Sequence, residues 1–215
     1  MSDDIIEAQY DLTNKSKLKK FYDSYKTILI TIGIFILLIF ISFNFYFYKK
    51  EQKQILLSDN YVKAKIFLEK DEKKQALTLL KSIIYENDPT YSTLSLFLVL
   101  NQQLLNDHKE ISVLFNHILE NNKFEKEIKN LLIYKKALIE SDFVSESELL
   151  ESINPLLNEQ SFWKPHALLL VGDYFLSKKE YVKAKEFYTK ILIIKNLQKE
   201  YYDQARFKLS MTDND

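Results

Sequence analysis

Residues able to do acid–base, nucleophilic or metal chemistry are sparse in this 215-residue chain, and their spacing keeps them apart. Histidine occurs at 108, 117 and 166. His108 and His117 lie nine residues apart with a turn expected near the first, so they do not share a helix face; His166 is remote in sequence. A zinc site needs imidazole or carboxylate ligands converging at set spacings, and neither His-x-x-x-His nor His-Glu-x-x-His occurs. Cysteine is absent, which removes thiolate nucleophiles, thiolate ligands and disulfides while saying nothing about compartment. Glycine occurs only at 33 and 172. Phosphate-cradling loops, dinucleotide fingerprints and nucleophile elbows all need glycine where backbone meets ligand or takes positive φ, so none of them can be built. Asp and Glu are plentiful but stand among lysines, the pattern of a solvated helix face rather than of a general acid/base pair. No catalytic, cofactor or metal site is expected. An enzyme with a site assembled from scattered Glu, Lys and His is the opposing reading.

Composition narrows the partners. Thirty basic residues balance thirty acidic ones, and residues 1–26 hold five of each, so the remainder is neutral as well. A nucleic-acid binder needs a basic face to neutralise phosphates, and a lipid-binding surface needs a polybasic cluster; neither is present. The 15 Phe and 14 Tyr are explained by core packing and an interfacial belt. Few glycines and no Asn-Gly or Asp-Gly pair argue against β-hairpins and toward helices.

The elements that would position these residues begin with Thr27–Tyr48, 22 residues without a charge, closed by Lys26 and by Lys49-Lys50. As a helix it spans about 33 Å at about 1.5 Å per residue, enough for a hydrocarbon core of about 30 Å. A buried helix of a soluble core is the alternative, and the length argues against it. A cleaved signal peptide is shorter in its apolar core and ends in small residues. Here the exit reads Phe-Asn-Phe-Tyr-Phe-Tyr-Lys-Lys, so an uncleaved anchor is expected, with Phe43, Phe45, Tyr46, Phe47 and Tyr48 at headgroup depth. Five lysines precede the run within 15 residues (15, 17, 19, 20 and 26) and four follow it (49, 50, 53 and 63). That near-balance gives little direction, but a long domain translocates largely regardless of charge, so the C-terminal domain is expected outside the cytoplasm. The resulting division is a tail at 1–26, a signal anchor at 27–48, an interaction domain at 49–211 and a frayed end at 212–215.

Beyond the anchor, amphipathic segments alternate with short polar turns, and an all-α domain of about four helix pairs plus a capping helix follows. The pairs are placed at 51–70 and 72–86, 89–106 and 108–121, 124–141 and 146–153, and 165–178 and 180–195, with a last helix at 199–210. Asp71 is expected to cap the second helix, Asp88 and Pro89 to open the third, and Asp107-x-x-Glu110 and Ser145-x-x-Glu148 to form capping boxes. Asn154-Pro155 is expected to end one helix and start a short one reaching about Gln160. In the last helix Tyr202, Ala205 and Leu209 form the stripe expected to pack.

Helix pairs at a period near 35 residues indicate a solenoid, whose units bury their apolar faces only against neighbours. The stretch 165–196 resembles a tetratricopeptide repeat. Small residues at Gly172 and Ala184 permit close helix approach, and Phe175, Tyr181, Phe187 and Tyr188 pack around them. The first pair repeats this with Ala64, Phe67, Ala76 and Leu80, whereas the middle pairs carry Val99 and Ile111 where small residues are expected. The whole arrangement resembles the YfgM-like proteins of bacterial inner membranes, with TYSTLSLFLVLNQQLLND, the Phe162-Trp163 segment and LLVGDYFLSKKEYVKAKEFY as its anchors. That resemblance implies a periplasmic protein-binding domain ancillary to the Sec translocon and its chaperones. A self-associating envelope scaffold for division or wall building is the alternative. On the repeat's first helix, His166, Leu169, Asp173 and Leu176 fall on the face expected to line a partner groove, although Leu169 and Leu176 suit a core equally. Trp163 suits either a partner anchor or a plug between the third and fourth pairs.

Overall fold

The computed structural model describes residues 3–158 and 161–212, with side chains from residue 19 onward. All regular structure among the described residues is helical: α1 Asp3–Glu69, α2 Lys73–Ile84, α3 Pro89–Asn101, α4 His108–Asn121, α5 Lys126–Glu140, α6 Glu146–Asn158, α7 Lys164–Ser177, α8 Tyr181–Leu192 and α9 Lys199–Thr212. The chain divides into two compact units, Met1–Leu56 and Leu57–Asp215.

In the first unit α1 is helical from Asp3, so the stretch expected as a tail at 1–26 is helical from there on. Every side chain from 19 to 56 is exposed, including the whole uncharged run, so this helix is long and apolar enough to cross a membrane. Two of its polar side chains are turned onto its own backbone: Thr31 Oγ1 donates to the Thr27 carbonyl at 2.9 Å and Asn44 Nδ2 to the Phe40 carbonyl at 2.9 Å. Such i to i−4 bonds satisfy groups that hydrocarbon would leave without partners.

The second unit is assembled in chain order. Leu57 and Ala64 at the end of α1 meet Leu80 and Ile83 of α2 and Val99 of α3 in a first buried cluster. Ile84 of α2, Leu96 of α3, Leu114, Phe115 and Ile118 of α4 and Leu132 of α5 form a second. The third and largest joins Ala137 of α5, Ile153 of α6, Val171 and Phe175 of α7, Tyr188 of α8 and Ala205 of α9. From α2 onward each helix packs on the next, and α5 also meets α7 and α7 meets α9.

Local chemistry explains most boundaries. Asp88 Oδ1 accepts from the Thr90 and Tyr91 amides at 3.0 and 2.9 Å, with Pro89 at the first helical position. Asp107 caps α4 through the Lys109 and Glu110 amides, but the Glu110 side chain turns away to pair with Lys81 on α2. The Ser145 box closes in both directions: the Ser145 amide donates to Glu148 Oε2 at 2.8 Å and the Glu148 amide to Ser145 Oγ at 3.4 Å. The Ser145 hydroxyl, donating to Glu148 Oε2 at 2.6 Å, and after it the Ser145 amide hold the exposed Glu148 carboxyl below the usual carboxylate range.

Four expectations need correction. Asp71 does not cap α2; it takes the left-handed conformation at φ 58° and ends α1, with the Glu72 amide donating to the Phe67 carbonyl at 2.8 Å. The same closure ends α3 at Asn101 rather than near 106: Gln103 is at φ 49° and Leu104, outside the helix, folds back onto the cluster around Val99. Helix α6 runs through Pro155 to Asn158 without stopping at Asn154. The lost bond leaves only the carbonyl of exposed Glu151, which water can satisfy, while Ile153 and Leu156 bury the opposite face. In α9 the packed stripe starts at Tyr201, not at the exposed Tyr202. The expected frayed end lies outside the described residues beyond Thr212, which is itself helical.

Small residues in the middle pairs sit where the motif did not put them. Ser92 and Ser95 of α3 are fully buried, and Ser92 Oγ donates to the Ile83 carbonyl of α2 at 3.2 Å.

Candidate functional site

Helix α7 is the most buried element of the second unit, with neighbours on α5, α6, α8 and α9. Gly172 and Ala184 are buried, but the group filling the space at Gly172 is Tyr188. A Cβ on Gly172 would fall within 2.9 Å of three Tyr188 ring carbons. Phe175 is buried and stacks on the half-buried Phe187 at 5.5 Å between centroids, and Tyr181 is half-buried at the start of α8. Tyr188 Oη donates to Asp173 Oδ1 at 2.7 Å. Burial, followed by that bond and the Asp173 charge, raises the phenol far above its ordinary range, so it remains a donor.

The four residues expected to line a groove are half-buried along one stripe of α7. Leu169 and Leu176 pack against the third cluster. Asp173 is shared between Tyr188 and Lys208 of α9, whose Nζ lies 2.9 Å from Oδ1. His166 Nε2 lies 2.8 Å from Tyr201 Oη, also on α9. Its ring is surrounded by Trp163, Phe162, Tyr134 and Tyr201, with centroids at 4.8, 5.6, 5.4 and 4.8 Å. Burial holds the imidazole below its ordinary pKa, against the opposing pull of the Phe162 carbonyl and the Glu200 charge. Nδ1 is buried and has no hydrogen-bond partner among the described residues. Burial also raises the Tyr134 and Tyr201 phenols, so this cluster is neutral near pH 7. Trp163 stacks on Tyr134 of α5 at 5.5 Å, bridging the third and fourth pairs, while Phe162 beside it is 54% exposed. These rings pack against one another.

Beside this aromatic knot the surface opens. A cleft of about 1010 Å³ runs between the end of α6, the start of α7, the end of α8 and the link into α9. Leu157, Pro165, Leu168, Phe187 and Leu197 are among its walls, and Phe162 and Ile193, the latter 76% exposed, stand at its edge. Among the described residues Lys164, Lys190 and Lys195 border it, with Glu127 on the acidic side. Its outer wall is fixed by Ser161, which accepts from Asn130 Nδ2 at 2.9 Å and donates to Glu127 Oε2 at 3.2 Å. The α7 motif alone does not signal this cleft: the repeat-like stretch supplies its walls from Pro165 to Asn196, but the rest come from α5, the end of α6, the link before α7 and the start of α9 with the link into it. The exposed Phe162 next to the sole tryptophan was its one visible sign.

Among the described residues no group of three or more His, Asp or Glu side chains converges to hold a metal ion. No protein-family model, characterised protein or solved structure gives a significant match to the chain.

Proposed function

We propose that this chain is a single-pass, membrane-anchored protein-interaction module whose helical domain is a tetratricopeptide-like solenoid. The observation that carries the reading is the large cleft, walled by apolar and polar side chains together, with Phe162 and Ile193 exposed at its edge, since apolar side chains held open to water in a packed domain mark an interaction surface. The solenoid is supported by side-chain links that recur between elements two helices apart. Lys81 pairs with Glu110, Asn87 with His117, Asn130 with Ser161, Glu146 with Lys183, and His166 with Tyr201, at separations of 29, 30, 31, 37 and 35 residues. A repeat of two helices places equivalent positions at such intervals.

The uncharged stretch of α1 anchors the module, and the domain faces the periplasm, where an ancillary role at the Sec translocon or with its chaperones follows from the resemblance of the chain to YfgM-like proteins. A photo-crosslinking residue at 162 or 193 in intact membranes tests this. Crosslinks to translocon subunits, periplasmic chaperones or their clients, absent when the probe is moved to 63 on the exposed side of α1, are the expected result. Crosslinks only between copies of this chain would replace the reading with a self-associating scaffold.

A further inference from the structure

The cleft has an electrostatic asymmetry that narrows what it accepts. Of its three lysines, Lys190 is committed, paired with Glu186 at 2.6 Å and lying over the Phe187 ring at 4.6 Å. The ammonium groups of Lys164 and Lys195 have no hydrogen-bond or ion-pair partner among the described residues. Among the described residues the one lining carboxylate, Glu127, is engaged by the Ser161 hydroxyl. A trough in which Leu157, Leu168, Phe187 and Leu197 are mixed with the amides of Asn154, Asn158 and Gln198 thus carries, among the described residues, two uncommitted positive charges in a chain whose net charge is zero. Positive charge at the margin of an apolar site favours a partner with carboxylates beside an apolar residue and repels one flanked by lysines.

We propose that the cleft binds a short extended segment of another protein in which apolar residues are flanked by Asp or Glu. The apolar side chains sit against Leu157, Leu168, Phe187 and Leu197, and the flanking carboxylates pair with Lys164 and Lys195. This deepens, and rests on, the interaction-module reading. A nucleic acid would find no continuous basic track here, since the positive charge is confined to the margin of an apolar site. A bound metal ion is disfavoured by the same lysines.

The test uses the full-length chain in detergent micelles and three fluorescent peptides with a central Leu-Phe pair: one flanked by glutamates, one by lysines, and one in which Ala-Ala replaces Leu-Phe between glutamates. The glutamate-flanked Leu-Phe peptide should bind at least about tenfold tighter than either control, and more weakly as salt is raised. Lys164→Ala with Lys195→Ala should lower its affinity about tenfold and leave thermal unfolding unchanged, since neither ammonium group holds the fold together. Equal binding of the glutamate- and lysine-flanked peptides, or of wild type and the double variant, overturns the proposal. So does competition by anionic phosphatidylglycerol vesicles as effective as that by unlabelled peptide, which would make a lipid headgroup the occupant. If these assays fail while a crosslinker at 162 still captures translocon subunits or chaperones, the interaction module stands and its acidic preference is wrong. If the crosslinker captures nothing either, both readings go.

Discussion

At the scale of single residues, the contact between Gly172 and Tyr188 leaves no room for a side chain at 172. Tyr188 is fully buried and its hydroxyl is held by Asp173, so the ring cannot swing aside to admit a methyl group. Alanine at 172 would gain about 1 kcal/mol of helix propensity but force an overpacking that costs about 1–3 kcal/mol. Gly172→Ala should therefore lower the melting temperature, and Tyr188→Leu in the same chain should make that substitution neutral or favourable; a chain that melts higher with alanine alone would show that α7 and α8 are further apart than described. His166 gives a second test. Its pKa is lowered by burial, so just below pH 6.5 the unfolded chain takes up a proton that the folded chain refuses. Stability should rise with pH through that window and level off above it. His166→Gln keeps an acceptor for Tyr201 and removes the titration, so the difference in stability between the two proteins should change between pH 5.5 and 7.5. A constant difference would place the imidazole in water.

At the scale of helices, periodicity and end chemistry made most of the architecture legible. Caps built from Asp88, Asp107 and Ser145 were readable because they need only one side chain and the amides two or three residues on. The stops were harder, because Asp71, Gln103 and Lys179 adopt left-handed backbone where glycine is the usual signal. Pro155 misled for a related reason: a proline marks a break only if its helix has no buried face on the other side to keep it intact. If α6 is continuous, Pro155→Ala restores a backbone bond to the Glu151 carbonyl and should stabilise the domain by about 1–3 kcal/mol. A proline that opened a new helix would instead lose stability, or gain nothing, on replacement. In α8, Ala184 is fully buried, so Ala184→Leu should destabilise by about 1–3 kcal/mol through overpacking. A melt equal to wild type would mean that α8 is rotated and the packed residues are assigned to the wrong face. The groove residues were legible only as a stripe. That His166 and Asp173 spend their polar atoms on Tyr201 and Lys208 depends on α9, which the repeat motif does not contain.

At the scale of the whole molecule, the uncharged run and the helical domain make separable predictions. The full chain should remain in the pellet after alkaline carbonate extraction of membranes, while a chain beginning at Glu51 should appear in the soluble fraction with the helical signal of α2–α9. Protease added to spheroplasts should degrade the C-terminal domain and leave a protected N-terminal fragment; a fully resistant domain would reverse the orientation and remove the periplasmic reading. The three buried clusters carry a different consequence, one of timing. The first is complete once Leu105 has been synthesised, the second once Ile139 has, and the third once Leu209 has. No early core waits for a distant late residue, so loop-closure entropy stays small at each step. The order of synthesis is then also the order of closure. A chain delivered N-terminus first can bury each hydrophobic face soon after it emerges, before it is exposed long enough to aggregate.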